Sequence, residues 1–454
     1  MLQLLISILG ILITILFVVG THEAAHFSVA KLLGVKVLRF SIGFGKTLLR
    51  FHDKKGTEYV LALIPLGGYV KMLDENEGQV SPEELPLAFN RQPFYKKFLI
   101  VLAGPACNLV CALILYWLIF VIGFVTIKPI IGEITPHSIA AAGGLKPNQQ
   151  IVSINGQTTS TWPSIMLRLV ASIGSPTPVK METKNSDEKL ETHYLDLSQW
   201  QINGLNPDPM ASLGLTPYEP PIPLIIGVMA KNSKALTSKL KIGDKIIAIN
   251  KKPVKDWGDL ITTIYNHPDE TLLFTIERDH RKLDIPVTIG SKRDLLWTKY
   301  GYLGIGPHFD MPPNLLHRIQ YSPLTAISYA WQQITDFTYF NLLLFWKMST
   351  GKLSLQSLGG PITIFESAGQ ALNYGFISFI GFLAFLSVAI GVINILPIPG
   401  LDGGHIFIQM IEAVIRRPLP EKIIILLYRL GFLFIFAMML IALTNDILRM
   451  HWFS

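Results

Sequence analysis

Four long apolar runs organise this chain. Leu2 to Gly20, Phe98 to Val125 and Phe376 to Leu396 contain no charged residue, and a run from about Ile423 to Leu443 contains only Arg429. A hydrocarbon core of about 30 Å needs roughly 20 helical residues, so each run predicts a transmembrane helix, with Arg429 near enough to its end to snorkel to the interface. A fifth apolar stretch, Phe340 to Trp346, is too short to cross and predicts an interfacial helix. Between the first two runs, Val37 to Phe51 and Glu58 to Met72 are rich in apolar, β-branched and aromatic residues and are broken by Gly43-Phe44-Gly45 and Gly67-Gly68. That pattern predicts two or more strands in a hairpin-like arrangement that lies against or dips into the bilayer, with Pro65 at an edge.

The long stretch between the second and third runs repeats itself. Ile131-Gly132 matches Ile226-Gly227, Leu145-Lys146 matches Leu240-Lys241, Ile154-Asn155 matches Ile249-Asn250 and Trp162 matches Trp257, all at one constant offset. Two tandem copies of a small module follow. A glycine-led strand, a small-residue helix start, Leu-Lys and a strand ending at Ile-Asn resemble the PDZ fold, and Gly243-Asp244-Lys245-Ile246 with Ile249-Asn250 is close to its signature. The first copy has Pro147-Asn148 in place of that Gly-Asp pair. Capture of extended peptide by strand addition is one reading of the modules, and a purely steric role is the other.

The expected fold is therefore a polytopic α-helical membrane protein with four transmembrane helices, a membrane-associated β-hairpin and two tandem PDZ-like α+β domains. Its divisions are a first transmembrane helix at 1–27, a loop with the hairpin at 28–97 and a second helix at 98–127. The two modules occupy 128–220 and 221–310, an interfacial amphipathic region 311–371, a third helix and the loop after it 372–415, and a fourth helix 416–454.

Composition agrees: half of the 454 residues are apolar, too many for an ordinary soluble enzyme. The net charge of +7 comes from basic residues spread between the runs, which argues for topological charges and against a nucleic-acid partner. Lys31, Lys36, Arg39, Lys46, Arg50, Lys54, Lys55, Lys96 and Lys97 follow the first run, and Arg416, Arg417 and Lys422 separate the third from the fourth. Both loops are thus expected in the cytoplasm, with the termini and the tandem modules outside. Cys107 and Cys111 lie inside an apolar run and read as small hydrophobes. The first run lacks a basic lead-in and is expected to be a retained helix, not a signal peptide.

Directly after the first run stands His22-Glu23-Ala24-Ala25-His26. On a helix, residues four apart share a face, so His22 and His26 can address one metal while Glu23 acts as general base on a water. Ionisable groups beside a membrane helix are costly and usually persist for function. A catalytic zinc takes a third protein ligand and leaves one position open. Candidates stand in Asn394-Ile395-Leu396-Pro397-Ile398-Pro399-Gly400-Leu401-Asp402-Gly403-Gly404-His405, where prolines and glycines end the third helix at membrane depth and both Asp402 and His405 are available.

Taken together, HExxH in the first helix, Asn-x-x-Pro-x-Pro-x-Leu-Asp-Gly at the third, and Gly104-Pro105 to Asn108 in the second resemble the site-2 protease family of intramembrane metalloproteases, from end to end of the chain. The resemblance favours Asp402 over His405 and implies zinc on His22, His26 and Asp402, with Glu23 activating water. It further implies that Asn394 binds substrate and that Gly43, Phe44, Gly45 and the nearby Gly67, Gly68, Tyr69 and Val70 engage it as an added strand. Single-pass membrane proteins within the bilayer are the implied partners, either an anti-sigma factor already cut outside the membrane or signal-peptide remnants. The implied location is the bacterial inner membrane, with the site towards the cytoplasm and the PDZ-like domains periplasmic, where they could bind peptides or filter substrates. Ala24-Ala25 and Ala389 depart from common family choices, which leaves Asn394 as the one amide transferred. The competing readings are a non-catalytic adaptor with a structural metal, which has no need of Glu23, and a transporter, which the lack of matching membrane halves disfavours.

Overall fold

The computed structural model describes the backbone of residues 2–54, 56–76, 78, 80–202, 208–231, 233–293, 298–351 and 353–452, and the side chains of these except 2–4, 65, 66, 357 and 450–452. Four helices are long and apolar enough to cross a bilayer: Leu2–Leu32, Phe94–Ile122, Phe376–Ile395 and Glu421–Trp452. The chain is a multi-pass membrane protein. The first span does not stop at Gly20; it continues through the His-Glu motif to Leu32, because nothing breaks it before Gly34 at φ +82°. Its 31 residues extend about 46 Å, well beyond a core of about 30 Å. The second apolar run behaves differently. Its helix ends at Gly123, φ +80°, and Phe124–Ile127 becomes a strand paired with Leu316–Ile319.

The second span is the centre of the bundle. Its Ala112, Tyr116, Ile119 and Phe120 share a core with Ile380, Ala384, Val388 and Val392 of the third span and with Ala326, Ala330 and Ile334. The last three belong to a 27-residue helix, Pro323–Ser349, that starts far upstream of the apolar stretch Phe340 to Trp346. Small residues at the contacts let backbones approach, as lipid gives helices little hydrophobic reason to associate. Gly391, for example, lies where a Cβ would meet Pro105 O at 3.2 Å. The fourth span packs loosely and is held near its C-terminal end. Asp446 caps the helix Pro361–Asn373, accepting from Gly360 N at 2.9 Å, Ile362 N at 2.9 Å and Thr363 Oγ1 at 2.6 Å.

Strands Val37–His52 and Glu58–Met72 pair antiparallel. Register shifts around Gly43 to Gly45 give the segment Val37 to Ile42 two neighbours, Gly68 to Met72 and Glu58 to Leu61. The far edge of Gly68 to Met72 pairs with no other described strand. Phe44, Leu48, Leu49, Phe51, Leu61, Leu63 and Ile64 leave an apolar surface around the bend. Pro65 lies in the second strand, but its side chain is outside the described residues.

Both repeats fold into units with the same four-stranded sheet and helix, and differ before the last strand, where the first has helix Pro209–Leu213 and the second the strand pair Gly290–Arg293 and Lys299–Tyr302. In the first, a sheet runs Gln157–Thr158, Gln150–Ile154, Val179–Lys184, Leu190–Leu195 beside helix Trp162–Ala171, and Ile131–Ile134 pairs with Leu215–Pro217. In the second, the corresponding sheet is Lys252–Pro253, Lys245–Ile249, Thr271–Arg278, Arg281–Thr288 beside helix Trp257–Tyr265, and Ile226–Met229 pairs with Ile305–Pro307. The Pro323–Ser349 helix completes the core of the first unit with Phe340, Leu344 and Met348. Two polar ties lock it there. Arg168 Nη2 donates to Asp336 Oδ2 at 3.0 Å, and buried Lys347 Nζ donates to Ala171 O at 3.0 Å and Ile173 O at 2.5 Å. A cation on the last carbonyls of helix Trp162–Ala171 satisfies groups that the helix cannot satisfy itself. Lys347→Met should therefore lower the stability of the first unit by about 2–3 kcal/mol, since charged hydrogen bonds to buried carbonyls are lost. Thermal unfolding of the full chain followed by tryptophan fluorescence, with Trp162 and Trp200 reporting this core, checks the expectation; an unchanged transition rejects it.

Candidate metal centre

Helical spacing places His22 and His26 on one face of the first span, and both are buried. The chain then brings Asp402 to them from 376 residues away: the third span ends at Ile395, and Leu396 to Leu401 turn before helix Asp402–Ile415 begins. The turn is compact because Gly403 and Gly404 sit against the carbonyls of Ile395, Leu396 and Ile398, where any Cβ would collide. Asp402, in the first turn of its helix, also has its carboxylate at the favourable end of the helix dipole.

His22 Nε2 lies 3.1 Å from His26 Nε2, and Asp402 Oδ2 lies 3.0 Å from the first and 3.4 Å from the second. Tetrahedral ligands at about 2.0–2.1 Å from a zinc ion stand about 3.3 Å apart, so the triangle has the right size. Protonation supports the same conclusion. His26 Nδ1 is 2.7 Å from Ile100 O, an acceptor only, so the ring proton sits on Nδ1 and the Nε2 lone pair faces the cluster. The Asn108 amide lies 3.3 Å from His22 Nδ1, and its Oδ1 is otherwise buried without a partner. With Oδ1 turned to the ring, Asn108 accepts the Nδ1 proton of His22 as Ile100 does for His26. Three acceptor atoms then face one another, and Asp402 Oδ2 makes no hydrogen bond although it is buried. Converging buried lone pairs with no donor between them are a site for a cation. Among the described residues, His22, His26 and Asp402 form the one such cluster of His, Cys, Asp and Glu.

His405 stands three residues along the helix from Asp402, and its Nδ1 is bonded instead to Tyr428 Oη of the fourth span at 2.9 Å. Glu23 is half-buried beside the cluster; a Cβ on Gly68 of the hairpin would meet Glu23 Cγ at 2.8 Å. The hairpin thus lies directly on Glu23. Across it, the rings of Phe44 and Tyr69 stack with centroids 6.1 Å apart, and Gly67 fits against Phe44. Gly43 and Gly45, at φ +91° and +84°, take the bend that L side chains avoid. Val70 points into a small core with Phe27, Ala30 and Ile100. Asn394 occupies the last turn of the third span, half-buried, with no hydrogen bond to the cluster.

Two residues of the second span complete the site. A Cβ on Gly104 would strike both imidazoles, so only glycine admits them to this helix. Pro105, inside the same helix, has no N–H to give Val101 and loosens the turn whose neighbouring carbonyl, Ile100 O, holds His26. The Gly-Pro pair was visible in the sequence as part of a family pattern, yet no spacing rule links it to histidines some 80 residues away.

Comparison with known proteins identifies the family. A putative zinc metalloprotease of Vibrio cholerae is 36% identical over 453 residues, covering 99% of this chain and 100% of the relative. Proteins described as regulator of sigma-E protease RseP are 38% identical in Salmonella typhimurium and 37% in Escherichia coli, each over 444 residues and 97% of both chains. The sequence pattern of peptidase family M50 matches residues 10–438. The chain belongs to peptidase family M50, the site-2 type of metalloprotease.

Proposed function

We propose that this protein is a zinc metalloendopeptidase that cuts the transmembrane segments of single-pass membrane proteins, with His22, His26 and Asp402 as ligands and Glu23 as base. The observation that carries the reading is the triangle of buried acceptors at 3.0–3.4 Å with Glu23 next to it. Bound there, zinc supplies Lewis acidity towards a peptide carbonyl and towards water. Glu23 takes the proton of the attacking water and passes it to the leaving amine. Ile100 O and Asn108 hold the imidazoles in the tautomer that leaves Nε2 free.

A substrate helix hides its carbonyls in its own hydrogen bonds, so cutting it requires local unwinding without leaving backbone groups unpaired in lipid. The free edge at Gly68 to Met72, beside Glu23, accepts such a segment as an added strand, with Gly43, Phe44, Gly45, Gly67, Tyr69 and Val70 shaping the approach. Asn394 takes a substrate backbone group as it nears the cluster. The basic loops after the first span and before the fourth support a site towards the cytoplasm of a bacterial inner membrane, with the two units on the periplasmic side. There, strands Leu215–Pro217 and Ile305–Pro307 each pair on one side only, as PDZ-like peptide grooves require. The pair can bind peptide ends, and can admit membrane substrates only after a bulky outer domain is removed. The relatives' description supports a substrate in sigma-E control, an anti-sigma factor already cut outside the membrane, with signal-peptide remnants as the second class.

Three outcomes are expected. Purified protein should hold one zinc; Asp402→Ala should lose it, Gly104→Ala should weaken it by about 10–100-fold as the imidazoles are displaced, and His405→Ala should retain it. Greater zinc loss in His405→Ala than in Asp402→Ala overturns the ligand set. In a cleavage assay, Glu23→Gln should abolish activity with zinc retained, and Val70→Pro should reduce cleavage of a strong-helix substrate more than of one weakened by Gly or Pro. Full cutting by Val70→Pro rules out strand addition at this edge, and cutting by Glu23→Gln rules out the base. Single cysteines at Lys54 and Arg417 should react with impermeant reagents only from the cytoplasmic side and one at Lys251 only from outside; reversed labelling rejects the topology.

A further inference from the structure

The two outer units share a fold but not a surface. Between the short helix Lys234–Thr237 and the strand Lys245–Ile249, the second unit presents Leu236, 56% exposed, and Ile242, 65% exposed. Lys234, Lys239, Lys241 and Lys245 of the same stretch are also exposed. At the constant offset of the repeat, the first unit has Ala141 and Pro147 in place of the two aliphatics, and Ile139, Gly144, Lys146 and Gln150 in place of the four lysines. The difference extends to whole units: residues 221–310 carry four more basic than acidic side chains, whereas 128–220 carry two fewer.

Carboxylates offset this charge only in part, Asp269 acting on Lys234 and Glu277 on Lys245. Asp244 is buried and occupied by Arg278, whose Nε and Nη2 both donate to it at 2.7 Å. Glu277 is shared between Lys245 Nζ at 3.8 Å and His280 Nδ1 at 3.9 Å. The turn is also rigid. Arg278 Nη2 donates to Lys239 O at 3.0 Å, Lys241 N donates to Asp244 Oδ2 at 2.7 Å, and Gly243 takes φ +93°. Two exposed aliphatic side chains on a hydrogen-bonded stretch that also exposes four lysines match an acidic lipid surface, into which apolar tips insert while ammonium groups meet phosphates.

A bilayer is within reach. Strand Ile305–Pro307 ends nine residues before Leu316–Ile319, and that strand is paired to Phe124–Ile127 immediately after the second span. The eight residues between them, three of which form a 3-10 turn at Pro313–Leu315, cover less than about 30 Å. We propose that the second unit docks on the bilayer through this turn, with Leu236 and Ile242 in the headgroup layer of anionic lipid and Lys234, Lys239, Lys241 and Lys245 on its phosphates. The docking is independent of the peptidase chemistry. Near an anionic surface each lysine strengthens partitioning by about fivefold, so the turn discriminates between acidic and zwitterionic bilayers.

The full chain, reconstituted in vesicles of phosphatidylcholine alone or of phosphatidylcholine with phosphatidylglycerol, tests this. With Cys107 and Cys111 replaced by Ala, a nitroxide is attached at Ile242→Cys or Leu236→Cys and its collisions with oxygen and with a water-soluble nickel chelate are measured. The label should shift from nickel-accessible to oxygen-accessible when phosphatidylglycerol is present, by about tenfold in the ratio, and Lys239→Glu with Lys241→Glu should abolish the shift. A label at Pro147→Cys should stay in water throughout. A photoreactive residue at position 242 in the chain with both cysteines intact should crosslink to lipid in the same vesicles. Equal accessibility in the two lipids, or shielding from both reagents as by an acidic protein partner or a second copy, overturns the proposal.

Discussion

Everything in this protein turns on one close approach, that of two histidines of the first span to a helix turn with no side chain. Gly104 gives the imidazoles of His22 and His26 the space that any Cβ would take, and Pro105 loosens the same turn so that the carbonyl of Ile100 is at hand for His26. The imidazole proton is thereby fixed on Nδ1. Once it is, both Nε2 atoms face Asp402 Oδ2, and three acceptors share a space suited to a cation. Remove the glycine and the first and second spans separate, so the packing of the bundle and the chemistry of the centre are the same constraint.

Much of this was legible in the sequence because it is local. The i, i+4 spacing of His22 and His26 needs only a helix, and the stretches rich in apolar, β-branched and aromatic residues end within a residue of the strands Val37–His52 and Glu58–Met72. Apolar runs located all four spans. Asp402 was reachable through a family pattern, since residue spacing left His405 equally open; the structure separates them by giving His405 to Tyr428.

What the sequence hid is tertiary. Phe124 to Ile127 extends an apolar run and reads as helix, yet Gly123 ends the span and Leu316–Ile319 claims the strand. The helix Pro323–Ser349 begins among Gln, Thr and Asp residues that mask its buried Ala326, Ala330 and Ile334. Lys347 and Asp446 look like ordinary surface charges in sequence. Each instead caps a helix formed elsewhere in the chain, and neither partner can be found by periodicity.

These caps also show how a membrane-embedded centre stays connected to what surrounds it. The helix that Lys347 fixes to the first unit packs through its other half on the second and third spans, which carry Gly104 and lead to Asp402. The first unit is therefore an extension of the bundle. The second unit has no equivalent helix in its core: its cluster draws only on residues 224 to 305, from within the repeat. Duplication supplied two copies of one fold, and the cross-helix occupies only one of them. An unbraced unit on a linker of eight residues needs another support to hold a fixed position, and the face it has acquired in place of small and uncharged residues is apolar and basic. Divergence between the repeats is thus a division of labour, one copy continuous with the catalytic bundle and the other free to take its position from the surface beneath it.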